Sequence, residues 1–405
     1  MVRKVMIRKA FVTAFKYSAL AVLAVFLWSA SRTQTNTLNE YALSKKAQAR
    51  YQPAPIPVKH TSKKIDRRKP PLILYWGYPW HDKSSGAPDG EKIGICETTY
   101  DRSRIIEADA IAFHYTTIRA EDLPWKYYRN PNQLFVWWSA EGPSVLRLDG
   151  IKLGGYDGFF NWTWTYRRDA DVARNYGYRG HVINSVAKGK KVVDELVAAK
   201  TDLAVWIVSG CHYTHGARMR MKYVKDLRKA GLNFTGYGKC FERPVPRTKD
   251  FTYPHDTIKN YKFYLSFENA LHCTDYITEK FWDNALRSGA VPIVWGPKKE
   301  EILRVAPLDS FIFVEDFKSP KDLVEYLLYL DKNDAEYRKF FSWREDESMT
   351  DEKMIKLTKT KYPNLDVQMS MKTFCDKLLE NNHTKIISSL KKEFWDSNPS
   401  ECLMS

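Results

Sequence analysis

At 405 residues, 44% hydrophobic and 14% aromatic, the chain exceeds one ordinary core and has the apolar surface to build two domains. That composition excludes a disordered or collagen-like polymer. The formal net charge of +16 raises nucleic acid, membranes and anionic substrates as partners, yet much of it sits in two leading clusters, Arg3, Lys4, Arg8, Lys9 and Lys63, Lys64, Arg67, Arg68, Lys69. Such clusters read as a topology signal and a solvated tether, so nucleic acid is not expected as a partner.

Residues 1–9 form a basic cytosolic tail, and residues 10–30 an apolar stretch interrupted only by Lys16. About 20 helical residues cross a hydrocarbon core of roughly 30 Å. Lys16 lies near the edge and can snorkel to the interface. The cations ahead of the stretch favour a cytosolic N-terminus, a luminal remainder and a retained single-pass signal-anchor. A leader cleaved near Ser29-Ala30-Ser31 is the competing reading. Residues 31–69 are polar, basic and broken by Pro53, Pro55 and Pro57, the composition of an extended stem. Glycosylation triplets begin at Asn161, Asn233 and Asn382, and behind a membrane signal they support a luminal location. Six cysteines, none in a CxxC pair, can form up to three disulfides there, with the pairing open.

From residue 70 onward short apolar runs alternate with helical patterns, which predicts α/β architecture. Strands are expected at Leu72–Trp76, Ala110–Tyr115 and Leu134–Trp138, then a helix over Val182–Ala199. A buried-type strand at Leu203–Val208 precedes a helix at Ala217–Lys229, where Met221, Val224 and Leu227 recur at helical spacing. Strand Tyr261–Phe267, helix Tyr276–Arg287 with Gly289 beyond its end, and strands Val291–Trp295 and Phe311–Val314 follow. Ser319 as N-cap and Pro320 as first helical residue open a helix reaching about Leu330. Two doubly wound, Rossmann-type α/β domains, 70–200 and 201–362, would face a ligand-holding cleft. The tail 363–405, with Cys375 and Cys402, would pack back with disulfide help.

Two places concentrate chemistry. Glu141 follows the strand ending at Trp138, at a strand C-terminus facing the expected cleft. Transfer to a hydroxyl needs a carboxylate or His within reach of that proton; an exposed Glu before a Gly-Pro turn is the plain alternative. Residues 261–297 gather Glu268, Asn269, Asp275, Thr278, Glu279 and Lys280 at the C-terminal end of a strand, where open α/β sheets bind ligands. A carboxylate can accept both hydroxyls of a ribose, a Lys can neutralise a phosphate, and a helix N-terminus offers N–H groups to a diphosphate. The plain alternative is that Asp275 and Glu279 cap the helix and Lys280 is solvated. His212 and His215 beside Cys211 lack a fourth metal ligand, and the Asp169-Ala-Asp171 triplet lies in the first domain, away from the expected donor side. Trp137, Trp138, Trp162 and Trp164 could stack on sugars, but core packing is the better account.

The string YKFYLSFENALHCTDYITEKFWDNALRSGAVPIVWGP, residues 261–297, resembles the donor-binding signature of the α1,3/4-fucosyltransferase family. Trp206–Cys211 with Gly216-Ala-Arg218, the stretch from Asn161 to Asp171, and Phe317 through Arg344 extend the resemblance over most of 70–345. Ala270, Gly210 and Gly142 depart from the family's usual Ser, Asn and Ser, and the loop 271–274 is one residue longer than in many members. Cys273 is similar to invertebrate and plant members that modify N-glycan cores. The resemblance implies a GT-B-like fold, a GDP-fucose donor, and an acceptor GlcNAc on an N-glycan or other glycan. It implies that Tyr264, Asn269, Glu279 and Lys280 contact the nucleotide sugar, that Arg218 pairs with the diphosphate, and that Glu141 is the general base. It further implies inversion at the anomeric carbon without a fucosyl-enzyme intermediate, and a single-pass Golgi membrane enzyme. No bound cofactor is expected; a divalent cation, Mn or Mg, can help GDP leave, with no protein ligand to name. The rival reading is a catalytically inactive luminal protein that binds glycans or GDP-fucose.

Overall fold

Runs rich in β-branched and aromatic residues form the strands. The computed structural model describes residues 69–118, 133–151, 153–246, 255–358, 371–380, 385–394 and 402. The apolar stretch 10–30, the stem apart from Lys69, and Asn382 lie outside the described residues.

A first sheet holds β1 (Leu72–Tyr75), β2 (Lys92–Ile93), β3 (Cys96–Thr99), β4 (Ala110–His114), β5 (Leu134–Ser139), β6 (Trp162–Thr165) and β7 (Val172–Ala173). Their order among the described residues is β2-β3-β1-β4-β5-β6-β7, parallel except for β2. A second, wholly parallel sheet holds β8 (Asp202–Ile207), β9 (Thr235–Tyr237), β10 (Tyr261–Phe267), β11 (Val291–Trp295) and β12 (Ile312–Phe313), ordered β12-β11-β10-β8-β9. Strand order reverses between β1 and β4 in one sheet and between β8 and β10 in the other. Ligands of open α/β sheets sit at the C-terminal ends of such strand pairs.

Helices α1 (Pro143–Leu148), α2 (Arg179–Ser185), α3 (Lys190–Ala198), α4 (His215–Lys229), α5 (Lys280–Arg287), α6 (Pro320–Lys332), α7 (Asp351–Thr358), α8 (Met371–Glu380) and α9 (Leu390–Phe394) cover the sheets. β10 is buried along its whole length. Phe263, Leu265 and Phe267 face one core with Trp206, Leu227 and Leu327, while Tyr264 faces another with Val205, Ala285 and Ala290. Both faces are therefore covered, as a parallel sheet requires. In the first sheet Ile73, Val136, Trp138 and Trp164 pack against Phe374 and Leu378 of α8. All four tryptophans weighed as sugar platforms, Trp137, Trp138, Trp162 and Trp164, are buried there.

The structure corrects two expectations. The single helix over Val182–Ala199 is two, because Gly189 turns the chain at φ 121° and donates its N–H to the Arg344 carbonyl. Val182 and Ile183 of α2 and Val193 of α3 bury themselves in cores shared with the second sheet. The helix expected at Tyr276 starts at Lys280 and is wound as a π-helix. Ser319 does cap α6, accepting the Asp322 N–H at 3.3 Å with Pro320 leading the helix. The six cysteines pair as Cys96–Cys375, Cys211–Cys240 and Cys273–Cys402. Two of these bonds tie late segments of the chain to the sheets.

Candidate active site

At the C-terminal end of β10 the chain carries Glu268 into a buried position. Its carboxylate accepts the Thr278 N–H at 2.8 Å, the Thr278 hydroxyl at 2.9 Å and the Lys280 ammonium at 3.1 Å. Burial raises its pKa, against the pull of Lys280. Lys280 also donates to the Thr278 hydroxyl at 2.7 Å and to Glu279 at 3.1 Å. An ammonium has three donors, and all three are taken. Burial works to lower its pKa, but Glu268 and Glu279 hold it above the ordinary value. Lys280 thus links Glu268, Thr278 and Glu279. Glu279 keeps 31% of its side chain exposed; burial pushes its pKa up, yet Lys280 and hydrogen bonds leave it below the usual value.

The neighbouring loop is held from β8. Thr214 caps α4 by accepting the Ala217 N–H at 2.9 Å and donates its hydroxyl to the Asn269 carbonyl at 2.5 Å. Gly216 presses on that same segment, where a Cβ would meet the Asn269 carbonyl oxygen at 2.7 Å. Arg220 is buried, donating to the carbonyls of Phe267 at 2.7 Å and Gly210 at 2.8 Å. The side-chain oxygen of Asn269 is buried with no hydrogen-bond partner among the described groups, which is uncommon in a native interior. Arg218, one turn into α4, is exposed, and its guanidinium donates to the His212 carbonyl at 3.0 Å.

Glu141 stands between β5 and α1, its loop pinned by the Ser139 hydroxyl, which donates to the Glu141 carbonyl at 3.0 Å. Its carboxylate accepts the Tyr276 hydroxyl at 3.1 Å, a contact from the first-sheet side to the second. Burial raises its pKa, the Tyr276 hydrogen bond and Lys280 oppose that, and Glu279 and Glu268 add to it. Asp275 makes a second pin across, accepting the Arg168 N–H at 2.9 Å.

Other expected positions fall elsewhere. Tyr264 is wholly buried, its hydroxyl accepting from Asn284 at 2.9 Å. Asn161 is also buried, accepting the Phe135 N–H at 2.8 Å and donating to the Lys385 carbonyl at 2.9 Å. Its amide joins the first sheet to the segment that carries Lys385. Asn233 is exposed before β9. Cys211 is bonded to Cys240 and offers no thiolate beside His212. Among the described residues no cluster of three or more His, Cys, Asp or Glu is arranged for a metal. Thr278, two residues ahead of α5, gives its N–H to Glu268. Tyr276 and Arg220 went unnoticed in the sequence, because what marks each is a partner far along the chain.

Comparison with known proteins covers both sheets. Residues 68–177 match the family described as "Fucosyltransferase, N-terminal", and residues 197–393 match "Glycosyltransferase family 10 (fucosyltransferase) C-term". The 4-galactosyl-N-acetylglucosaminide 3-alpha-L-fucosyltransferase of Pan troglodytes is 39% identical over 282 residues, covering 68% of this chain and 73% of its own. The 3-galactosyl-N-acetylglucosaminide 4-alpha-L-fucosyltransferase of Bos taurus is 38% identical over 284 residues, 68% and 72% of the two chains. A crystal structure of an alpha1,3-fucosyltransferase with GDP-fucose superposes with TM-score 0.43 at 17% identity, covering 76% of this chain and 94% of that one.

Proposed function

This chain belongs to glycosyltransferase family 10, the fucosyltransferases, and on that premise we propose that it is a Golgi type II membrane enzyme moving fucose from GDP-fucose, in α1,3 linkage, to a GlcNAc of glycoprotein glycans. In this reading the two sheets are the halves of a GT-B-like enzyme, acceptor on the first and GDP-fucose on the second. The observation that carries it is the Tyr276–Glu141 hydrogen bond, which sets a lone carboxylate of the first sheet against the polar cluster of the second.

Glu141 is the general base. The acceptor oxygen attacks the anomeric carbon of fucose, the bond from that carbon to the diphosphate breaks, and the hydroxyl proton passes to Glu141. Attack opposite the leaving group inverts the centre, so no covalent intermediate is required. Partial burial suits the role, since a carboxylate with a raised pKa is a stronger base once ionised. Glu279, half-buried and ionised, accepts ribose hydroxyls; Lys280 and Glu268 hold it in place. Arg218, exposed on α4, meets the diphosphate charge as it develops. The unpartnered Asn269 oxygen marks a further donor contact. A divalent cation, Mn or Mg, would supply charge that helps GDP leave, and among the described residues no cluster of side chains is arranged to hold it.

The test is transfer from GDP-fucose to a panel of defined N-glycans, beside a Glu141→Gln variant. Product on a GlcNAc-containing glycan, reduced at least about 100-fold in the variant, is expected for loss of a general base. Tight GDP-fucose binding with no transfer to any glycan would leave a binding protein instead.

A further inference from the structure

Tyr213 lies in the loop between β8 and α4 and is 51% exposed. The loop around it is fixed from its own layer. Cys211 is bonded to Cys240, the Gly210 carbonyl accepts from Arg220 at 2.8 Å, and Thr214 caps α4. The Tyr213 ring instead reaches the other layer, its hydroxyl donating to the carboxylate of Asp149. Asp149 ends α1, where its N–H bonds the Val145 carbonyl at 3.1 Å, and the Ile151 N–H closes the turn on the Leu146 carbonyl at 3.0 Å. Among the described residues no other hydrogen bond or ion pair reaches the Asp149 carboxylate.

This contact crosses beside the proposed base. Burial raises the Tyr213 pKa, and Asp149 and Glu141 add to it. Burial likewise raises the pKa of Tyr115, which feels Glu141, Asp149 and Tyr213 together. Two carboxylates and two phenols thus share one mouth, and the Tyr213–Asp149 bond spans it. An exposed hydrogen bond of this kind contributes little to stability, because water competes for both groups. It is set from behind by Arg218, which donates at 3.0 Å to the carbonyl of His212, the residue before Tyr213. A guanidinium drawn to a diphosphate gives up a neutral carbonyl for a charged oxygen.

We propose that Tyr213 and Asp149 form a latch beside Glu141 that donor binding releases: Arg218 passes from the His212 carbonyl to the diphosphate, and Tyr213 leaves Asp149 to admit the acceptor sugar. This rests on the fucosyltransferase reading and adds two positioning residues to it, one on each layer. The latched chain binds donor less tightly, since part of the interaction goes into opening it. By linkage, GDP and acceptor each favour the open form.

The test is calorimetric binding of GDP to the full chain, to Tyr213→Phe, to Asp149→Asn and to the double variant, thermal unfolding confirming that each folds. Each single variant is expected to bind GDP about three- to tenfold tighter, the range one hydrogen bond spans. The double variant should bind no tighter than either, because both changes open the same latch. In transfer to the N-glycan panel the gain should sit in the acceptor KM rather than in kcat. Unchanged GDP affinity in the single variants would overturn the latch, as would gains that add in the double variant. A contact that merely joined the layers would lower Tm and leave GDP affinity where it was. No GDP binding by any of the four proteins would count against the fucosyltransferase reading itself, and the latch would fall with it.

Discussion

A carboxylate held under a tyrosine hydroxyl and beside other carboxylates titrates by the balance of its neighbours. Glu141 is faced by Tyr276, Lys280, Glu279 and Glu268, and burial dominates, raising its pKa. The base proposed here works only when ionised, so the acid limb of kcat/KM should lie above the ordinary carboxylate range. Tyr276→Phe removes a hydrogen bond that favours the ionised form, and the limb should move to higher pH, with kcat falling at low pH first. A pH–rate profile of both proteins checks this; an unmoved limb would remove Glu141 from the role. Lys280 yields a different test, because Glu268 beside it is buried. Lys280→Met strands that carboxylate and should cost about 3 kcal/mol in urea unfolding. Adding Glu268→Gln should recover part of the loss, and simple additivity of the two changes would mean the pair is not coupled.

Among the elements, the approach of α4 to the loop after β10 is set by Gly216. Alanine is intrinsically about 1 kcal/mol better than glycine within a helix. The new methyl, however, would stand 2.7 Å from the Asn269 carbonyl oxygen, and backbone there has nowhere to move while Thr214 holds the same oxygen. Gly216→Ala should therefore destabilise the protein by about 1–3 kcal/mol. It should also weaken GDP binding, since Asn269 moves with the loop. Differential scanning calorimetry with and without GDP separates the two effects; a rise in Tm would show that the loop yields. The π winding of α5 belongs to the same scale. Its unusual turn follows directly on Thr278 and Glu279, and lets Glu268 rather than a ligand take the Thr278 N–H.

At the scale of the whole molecule, the two layers are closed by segments distant in sequence. Cys96 on β3 is bonded to Cys375 on α8, a separation of 279 residues, and Phe374 and Leu378 bury themselves beside it. Cross-linking so long a loop removes much freedom from the unfolded chain. A Cys96→Ala, Cys375→Ala double variant should lose about 2–5 kcal/mol, read by denaturant unfolding of the oxidised protein. Cys273–Cys402 fastens the loop 271–274 beside the candidate site, so its loss should also lower activity.

How much of this was legible in advance depended on whether the signal was local. Tyr261–Phe267 and Val291–Trp295 are strands at the predicted residues, because unbroken apolar runs between turn residues leave little else to form. Ser319-Pro320 announces a helix start through one hydroxyl and one fixed φ. The α/β class, the family motif and the clustering of Glu268, Asn269, Glu279 and Lys280 beyond β10 were likewise readable, since each is a matter of order along the chain. The Asn284 partner of Tyr264 was not: a strand buried on both faces hides every side chain, and alternation alone does not say what a buried hydroxyl meets. Nor was Asn161, whose triplet is a local pattern while its burial depends on Phe135 and Lys385. The contacts that make the site, Glu141 with Tyr276, Arg168 with Asp275 and Cys273 with Cys402, join residues more than a hundred positions apart. Sequence by itself determined the elements and the chemistry they carry, because propensity and periodicity act over a few residues; only tertiary packing decided which side chains meet and which are buried.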